Sequence, residues 1–220
     1  MARRDSVRRE LSAVDRAIYF AVAATPTPSL DGPLRRLSNA ANDSRLWLAI
    51  AIGLYGTGSL AGRRAAVRGT AAIGVTSALV NLAGKSAWSR PRPDRVGARF
   101  PVRRNVRMPT STSFPSGHAA AGFAFAAAIG RDQPWLALAL RFLAAAVAYS
   151  RVHTGVHYPS DAVAGALIGE GTGQAVAGLM DRLRPARRPS RSGRGKQREL
   201  PDGADAEGAG AVNNDEVRVA

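Results

Sequence analysis

The chain has 220 residues, 45% of them hydrophobic, with no cysteine and a formal net charge of +15. This length fits about one domain with a substantial apolar core, and the missing cysteines exclude disulfides and thiolate metal ligands. The charge predicts an anionic partner, and because only 6% of the residues are aromatic, a membrane surface or a phosphorylated substrate is favoured over nucleic acid.

The N-terminal part is predicted to form two amphipathic helices. Apolar residues in the stretch 11–24 recur at helical spacing, and the segment 25–28, Thr-Pro-Thr-Pro, ends this helix. Asp15 and Arg16 interrupt the apolar stretch, so we expect no secretory signal, and a helix lying on a membrane or on a core is favoured over a membrane span. A shorter amphipathic piece is expected over 30–37. The apolar positions of the first helix are Leu11, Val14, Ile18, Ala21 and Val22.

Five apolar runs separated by polar breaks follow. None is a clean run of about twenty apolar residues, and the mean hydropathy of −0.12 leaves a soluble all-helical domain as the alternative to a membrane protein. The runs are rich in Ala and Gly, which let helices approach closely in lipid. We therefore predict an all-α, polytopic membrane helical bundle with five to six apolar helices, the sixth being 11–24. The five runs are 46–62, 70–84, 118–130, 134–149 and 162–180.

The loop from Lys85 to Gly117 is too long and too polar to be a mere connection. It carries eight basic residues and a single acid. Lys85 ends an apolar run and Arg92 lies between two prolines, so both are expected to lose little conformational entropy when they bind a phosphate. Four other arginines of the loop are expected to form a solvated, positively charged surface. They are Arg95, Arg99, Arg103 and Arg104.

The tetrapeptide Pro115-Ser116-Gly117-His118 leads directly into an Ala-rich apolar run. Pro115 and Gly117 favour a turn, and Ser116 is a residue type that often caps helices. The first amides of the following helix would point toward this turn, which makes it a candidate anion site. His118 could simply cap the helix, so the tetrapeptide alone does not establish a site.

A histidine-rich stretch lies between the last two apolar runs. His153, His157 and Asp161 are four residues apart, a spacing that on a continuous helix would suggest a metal site. Gly155 and Pro159 interrupt such a helix, and only one further histidine exists in the chain, so the ligand count argues against a metal. If Asp161 holds one ring nitrogen of a neutral His157, the other nitrogen is free to attack an electrophile. His153 is then a structural histidine outside the catalytic set.

Together, these stretches resemble the signature of the type 2 phosphatidic acid phosphatase (PAP2) superfamily. That signature is Lys, six residues, Arg-Pro; then Pro-Ser-Gly-His; then Ser-Arg, five residues, His, three residues, Asp. The chain matches every position, and the resemblance covers about 46–180. It implies a fold of the PAP2/haloperoxidase type.

The resemblance also implies roles for the matching residues. His157 is expected to attack phosphorus and form a phosphohistidine, with Asp161 orienting it, and His118 is expected to protonate the leaving oxygen. Three fixed cations would hold the phosphoryl oxygens with the help of a hydroxyl and an amide, and would replace the metal that other phosphatases need. No cofactor and no metal are therefore expected. The phosphate-binding residues are Lys85, Arg92, Ser116, Gly117 and Arg151.

The superfamily also includes soluble acid phosphatases and vanadate-dependent haloperoxidases, but the apolar runs favour its membrane lipid phosphatases. The expected substrate is a lipid phosphate, whether phosphatidic acid, a prenyl diphosphate or a phosphorylated prenyl-linked sugar. The alternative is a non-enzymatic membrane protein that binds anionic lipid through the basic run 182–198. The sequence makes no prediction about the oligomeric state.

The motifs also predict an arrangement in the membrane. All three lie at the ends of apolar runs that meet at one membrane face, whereas Arg63, Arg64, Arg68, Arg131 and the basic tail gather at the other. The positive-inside rule then favours an extracytoplasmic active site in a multi-pass protein of the cell membrane. Three regions are expected. They are a basic N-terminal segment with amphipathic helices (1–44), a phosphatase domain (45–181) and a basic, then acidic, disordered tail (182–220).

Overall fold

The computed structural model describes residues 2–84 and 90–183. No strand occurs in these residues, which confirms the all-α prediction. A π-helical turn, Val80–Gly84, extends the fourth helix, and short 3-10 turns lie at Asn42–Ser44 and Val102–Arg104. The α-helices are α1 (Ala2–Ala24), α2 (Pro28–Ala40), α3 (Arg45–Gly56), α4 (Leu60–Leu79), α5 (Gly117–Ile129), α6 (Pro134–His153) and α7 (Pro159–Arg182).

Proline and serine residues explain several of these helix boundaries. Pro28, Pro134 and Pro159 each occupy the first helical position, where the missing amide proton has no helical partner to lose. Ser59 caps α4, because its hydroxyl accepts a hydrogen bond from the amide of Gly62 at 3.0 Å. Local sequence therefore determines where these helices begin.

The Ala-rich helix α5 is the centre of the bundle and packs against α4, α6 and α7. Nearly every residue of α5 from Ala119 to Ile129 is buried. Phe125 of α5 packs against Trp47 of α3, with 5.9 Å between the ring centroids. A helix of this composition is apolar on all sides, so it is stable only when other helices surround it.

Three glycines of α7 allow it to lie directly against the backbone of α5. A Cβ atom at Gly165, Gly169 or Gly173 would collide with a backbone carbonyl oxygen of the neighbouring helix. A backbone atom cannot move aside as a flexible side chain can. The spacing of four residues keeps all three glycines on one face, and this contact fixes the position of α7.

Substitution of Gly169 by alanine is expected to destabilise the bundle by about 1–3 kcal/mol, because the added methyl group overpacks the contact with Ala120. The matched control is Gly171→Ala in the same helix, where no atom lies within 4 Å of the added Cβ. That variant is expected to be neutral or more stable by up to about 1 kcal/mol, since alanine favours helix. Thermal unfolding of both variants in detergent tests this, and equal midpoints would contradict the close-contact explanation.

Two helices of the described residues are long and apolar enough to cross a membrane. They are Leu60–Leu82, with 23 residues, and Pro134–His153, with 20, whereas Gly117–Ile129 is apolar but shorter. The number of five to six apolar membrane helices therefore stays a prediction.

Helix α1 contains the predicted stretch 11–24 and ends at Ala24 before the Thr-Pro repeat, but it begins earlier than predicted, at Ala2. Its buried residues are Asp15, Tyr19 and Ala23, not the apolar stripe. Leu11 is 62% exposed, and Val14 and Ile18 are exposed as well. Most of this stripe therefore does not pack on the bundle, although Val22 is partly buried against Ala148 and Val152 of α6. Hydrogen bonds made by Asp15 hold the adjacent face of α1 against the bundle.

The end of the bundle where α4 begins is held by ion pairs. Arg68 of α4 is buried and contacts Asp132, which lies between α5 and α6, at 3.2 Å, and it also contacts Asp181 near the end of α7. Arg131 donates to the other oxygen of Asp181 at 3.0 Å. Arg68 and Arg131 therefore lie at the same end, as the sequence predicts.

Candidate active site

The short connection between α6 and α7 brings His157 and Asp161 together. His157 is 2% exposed, and Asp161, in the first turn of α7, is completely buried. Gly155 adopts a left-handed conformation, with φ of 69°, which ends α6 and reverses the chain as its sequence predicts. The His157 Nδ1 atom lies 3.6 Å from Asp161 Oδ2. The Tyr158 amide donates to the same carboxylate oxygen at 2.8 Å, which fixes the carboxylate at the start of α7.

The neighbours of the His157 ring determine its tautomer. Arg92 Nη1 lies 3.3 Å from His157 Nε2. A guanidinium group only donates hydrogen bonds, so Nε2 must accept and the ring proton resides on Nδ1, toward Asp161. The lone pair of Nε2 thus points toward a cationic side chain.

The pKa of His157 is lowered from its usual 6.5 to about 4, mainly by burial and also by the positive charges of Arg92 and Arg151, while the contact with Asp161 opposes the shift. His157 is therefore neutral at neutral pH. A neutral imidazole has the free lone pair that a nucleophile requires.

Arg92 is fixed by backbone carbonyl groups. Its Nε donates to the Ser111 carbonyl at 2.8 Å, and its Nη1 donates to the Val156 carbonyl at 2.9 Å. Nη2 donates to the Thr112 carbonyl at 3.2 Å. Burial lowers the pKa of Arg92, but an arginine keeps its charge at neutral pH. The side chain is thus already oriented before any ligand binds.

Arg151 and Ser116 both present polar atoms without hydrogen-bond partners. Arg151 is 1% exposed and its Nη1 donates to Ser38 Oγ at 2.5 Å. Within the described residues, neither Arg151 Nε nor Ser116 Oγ has a partner. Buried polar atoms are nearly always paired, so these two atoms are candidates for contact with a ligand. The Ser116 amide donates to the Asp161 carbonyl at 3.0 Å, which joins the tetrapeptide to the start of α7, and Gly117 is the first residue of α5.

His118 lies in the first turn of α5 and is half-buried. Its Nε2 lies 2.9 Å from Oδ1 of Asn42, in the 3-10 turn between α2 and α3. Since the amide oxygen accepts, Nε2 carries a proton in this arrangement. Asn42 therefore orients the ring, and no local pattern in the sequence indicated this contact.

Two sequence predictions concern residues that the structure does not describe. Lys85, the first expected phosphate ligand, lies outside the described residues, and so does the tail from residue 184. Of the expected site residues that are described, the structure links Arg92, His157 and Asp161 through direct contacts.

Three polar residues of the site were not predicted as site residues. Arg90 and Ser113 both contact the Asp161 carboxylate, Arg90 at 2.8 Å from Oδ1. Asp15 of α1 accepts a hydrogen bond from Arg90 Nη2 at 2.7 Å. Two features of the sequence could have indicated Arg90 and Asp15. One is the repeated Arg-Pro dipeptide at 90–93, and the other is the single acid in the largely apolar stretch 11–24. Acids within apolar stretches of membrane proteins are rare and are usually functional.

The prediction that four loop arginines form a solvated surface is wrong for two of them. Arg104 is buried and donates to Asp31 at 2.7 Å and to the Thr25 carbonyl at 2.6 Å. Arg95 is half-buried and donates to the Thr154 carbonyl at 2.7 Å. Both fold back onto helix ends because carbonyl groups there lack helical partners. Arg99 and Arg103 are exposed, as expected.

His153 lies beside the ion pair between Arg104 and Asp31. It is buried, and its Nε2 lies 3.1 Å from Asp31 Oδ1. This contact supports the interpretation of His153 as a structural histidine. In the described part of the chain, no three His, Asp or Glu side chains are grouped as metal ligands.

The helical bundle, with a neutral histidine directed at a fixed arginine, defines a phosphoric monoester hydrolase, and comparison with known proteins names its family. The profile of the PAP2 superfamily matches 66–185, more than half of the chain. The chain therefore belongs to the PAP2 superfamily, and the alternative of a non-enzymatic lipid-binding protein is not retained.

Relatives of known name agree with this assignment. The decaprenylphosphoryl-5-phosphoribose phosphatase of Mycobacterium tuberculosis (strain CDC 1551 / Oshkosh) is 35% identical over 164 residues, which cover 73% of this chain and 87% of the relative. The protein of the same name from strain ATCC 25618 / H37Rv gives the same values.

Two solved structures share the fold. The transmembrane PAP2 type phosphatidylglycerolphosphate phosphatase of Bacillus subtilis superposes with a TM-score of 0.61 at 22% identity and covers 81% of this chain and 90% of its own. LpxE of Aquifex aeolicus gives a TM-score of 0.58 at 24% identity, with 73% and 92% covered. The bundle thus has the fold of membrane PAP2 phosphatases.

Proposed function

We propose that this protein is an integral membrane phosphatase that hydrolyses a lipid phosphate through a phosphohistidine at His157, without a metal. The observation that carries the proposal is the His157 Nε2 lone pair facing the fixed guanidinium of Arg92 at 3.3 Å. A nucleophile and a phosphate ligand are thereby held side by side. Phosphoryl transfer depends mainly on such positioning and on electrostatic stabilisation.

In the first step, His157 Nε2 attacks phosphorus and the bond from phosphorus to the leaving oxygen breaks. His118 begins this step protonated on both ring nitrogens and gives one proton to that oxygen, so that the lipid leaves as a neutral alcohol and His118 becomes neutral. Asp161 stabilises the imidazolium that forms, because the Nδ1 proton faces its carboxylate. In the second step, water attacks phosphorus, His118 takes a proton from this water, and the bond from phosphorus to Nε2 breaks to release phosphate.

The phosphoryl oxygens are held by fixed donors in this proposal. Arg92, Arg151, Lys85, the Ser116 hydroxyl and the Gly117 amide form the binding set. The unpaired Arg151 Nε and Ser116 Oγ support this role, because the oxygens of a bound phosphate would accept a hydrogen bond from each of them. Fixed cations need no reorganisation as charge develops in the transition state.

The proposed substrate is a prenyl-linked phosphate, and a phosphorylated prenyl-linked sugar is favoured. The name of the M. tuberculosis relative supports this choice over phosphatidic acid or a prenyl diphosphate. We further propose a multi-pass arrangement in the cell membrane with an extracytoplasmic active site, since Arg68 and Arg131 lie at the opposite end of the bundle from His157 and the positive-inside rule favours that end in the cytoplasm.

Phosphate release by the purified protein in detergent tests the proposal. The substrate panel consists of a prenyl-linked phosphosugar, a prenyl diphosphate and phosphatidic acid, each with vanadate or EDTA added. We expect vanadate to block phosphate release and EDTA to leave it unchanged. Release is expected to be fastest with the phosphosugar. No release from any of the three, or loss of release with EDTA, would contradict the proposal.

The pH dependence of kcat/KM provides an independent check. The pKa of His157 is lowered to about 4, so the nucleophile loses its lone pair only as the pH falls through that value. We therefore expect that kcat/KM falls on the acidic side of the profile, the acidic limb, near pH 4 rather than near 6.5 when only ionisation of the enzyme is considered. Ionisation of the substrate phosphate is measured separately by phosphorus NMR and subtracted. An enzyme limb at the usual histidine value would show that His157 is not buried as described.

A further inference from the structure

A chain of charged groups connects α1 to the His157–Asp161 pair. Asp15 Oδ2 accepts from Arg90 Nη2 at 2.7 Å, and Arg90 Nη1 donates to Asp161 Oδ1 at 2.8 Å. The other Asp161 oxygen faces His157 Nδ1 at 3.6 Å. One guanidinium therefore bridges two carboxylates, and the second carboxylate faces the proposed nucleophile.

Further contacts fix Arg90 in this position. Its guanidinium lies over the Tyr158 ring, 4.1 Å from the centroid, and its Nη1 also donates to Ser160 Oγ at 2.8 Å. Asp15 is 5% exposed and accepts from the Ser160 amide at 2.9 Å, as well as from the Ser160 hydroxyl. Asp15 therefore holds both Arg90 and the first turn of α7, which contains Asp161.

Negative and positive charges alternate from Asp15 through Arg90 to Asp161, and this order affects the stabilisation of His157. Without Asp15, the positive charge of Arg90 would offset part of the negative charge of Asp161, and Asp161 would stabilise an imidazolium at His157 less well. Asp15 offsets the charge of Arg90, so the two together add no net charge beside the catalytic pair. Asp161 then keeps its full effect on His157 while its carboxylate stays in one orientation.

We propose that Asp15 and Arg90 are positioning residues that orient Asp161, and through it His157, for attack on phosphorus. This inference rests on the proposed function, because it takes His157 as the nucleophile. It assigns to α1, which lies outside the matched PAP2 region, a direct part in building the active site. Neither residue touches the substrate in this proposal.

The test measures kcat, KM and the acidic limb of kcat/KM for Asp15→Asn, Arg90→Gln and the double variant in the full-length chain. Each single variant is expected to lose about 10- to 100-fold in kcat with little change in KM, as is typical of residues that orient an active-site group. Because the two residues act as one unit, the double variant is expected to lose no more than Arg90→Gln alone. Arg90→Lys keeps the charge and is expected to recover part of kcat.

The acidic limb distinguishes positioning from a merely structural role. Asp15→Asn leaves an uncompensated positive charge, which disfavours protonated His157 and moves the limb down by about half to one pH unit. Arg90→Gln removes a positive charge and moves the limb up by a similar amount, and the double variant returns it close to its original position. Unfolded protein lowers the amplitude of the profile but does not move its midpoint.

The matched control is the Arg141–Glu170 pair, a partly exposed ion pair between α6 and α7 with Nη2 to Oε1 at 2.6 Å. Glu170→Gln is expected to leave the limb unchanged. The inference is overturned if the losses in kcat for Asp15→Asn and Arg90→Gln are additive, or if the acidic limbs of the two variants do not move in opposite directions, and His157→Ala is inactive as expected. Activity in His157→Ala would instead overturn the proposed function itself.

Discussion

Replacing His157 by alanine is expected to reduce phosphate release by about 10⁴-fold or more, the scale seen when a covalent nucleophile is removed. The remaining cations still bind the phosphate, so KM or the inhibition constant for vanadate should change far less than kcat. This difference between binding and turnover is the specific expectation for a nucleophile, since a residue that only bound the phosphate would affect both.

The matched control is His153→Gln, four residues earlier in the same stretch. His153 is as buried as His157, but its Nε2 faces Asp31 at 3.1 Å. Its loss is expected to cost about 1–3 kcal/mol of stability through an unsatisfied buried partner, with kcat of the folded protein largely retained. Trapping the phosphoenzyme with labelled substrate provides the direct measurement. Label should appear in the wild type and in His153→Gln, and label in His157→Ala would rule out attack by His157.

Replacing His118 by asparagine is expected to lower kcat by about 10²- to 10⁴-fold for a lipid phosphate, which is the usual contribution of a general acid. The physical reason is that an alkoxide is a poor leaving group unless it is protonated as the bond to phosphorus breaks. With an aryl phosphate, whose leaving group is stable as an anion, the same variant should lose much less activity.

The comparison of the two substrates makes this prediction specific to proton donation. A merely structural defect would reduce turnover of both substrates equally, and that outcome would contradict the assignment of His118. Asn42→Ala is the companion variant, because Asn42 orients the His118 ring at 2.9 Å. It is expected to show the same dependence on the leaving group with a smaller loss.

The short motifs could be recognised from the sequence because their chemistry is local. His157 and Asp161 are four residues apart, and a turn followed by a helix start brings them together whatever the rest of the chain does. Gly155 and Pro159 likewise identify the break between α6 and α7, since each acts through its own backbone conformation. The all-α class followed from long apolar runs with few strand-forming features.

The partners of the motif residues could not be predicted in the same way. Asn42 lies 76 positions from His118, and Ser38 lies 113 positions from Arg151. Both come from the stretch before residue 45, which the sequence assigned to an N-terminal segment outside the phosphatase domain. No local pattern indicates which hydroxyl or amide a buried arginine or histidine will meet.

The loop arginines illustrate the same limit. Arg103 and Arg104 are adjacent and chemically identical, yet one is exposed and the other is among the most deeply buried side chains described. Only the position of α2, which presents Asp31, distinguishes them.

The sequence by itself determined the class of phosphate chemistry and indicated the residues that we propose as nucleophile and acid, because residue types at short spacings carry that information. Only the tertiary structure decided which groups tune them. It placed Asp15 against Arg90, Arg90 against Asp161, and most of the apolar stripe of α1 on the outside. These contacts join residues more than 70 positions apart, and burial and charge pairing at such separations depend on how the helices pack rather than on any local pattern.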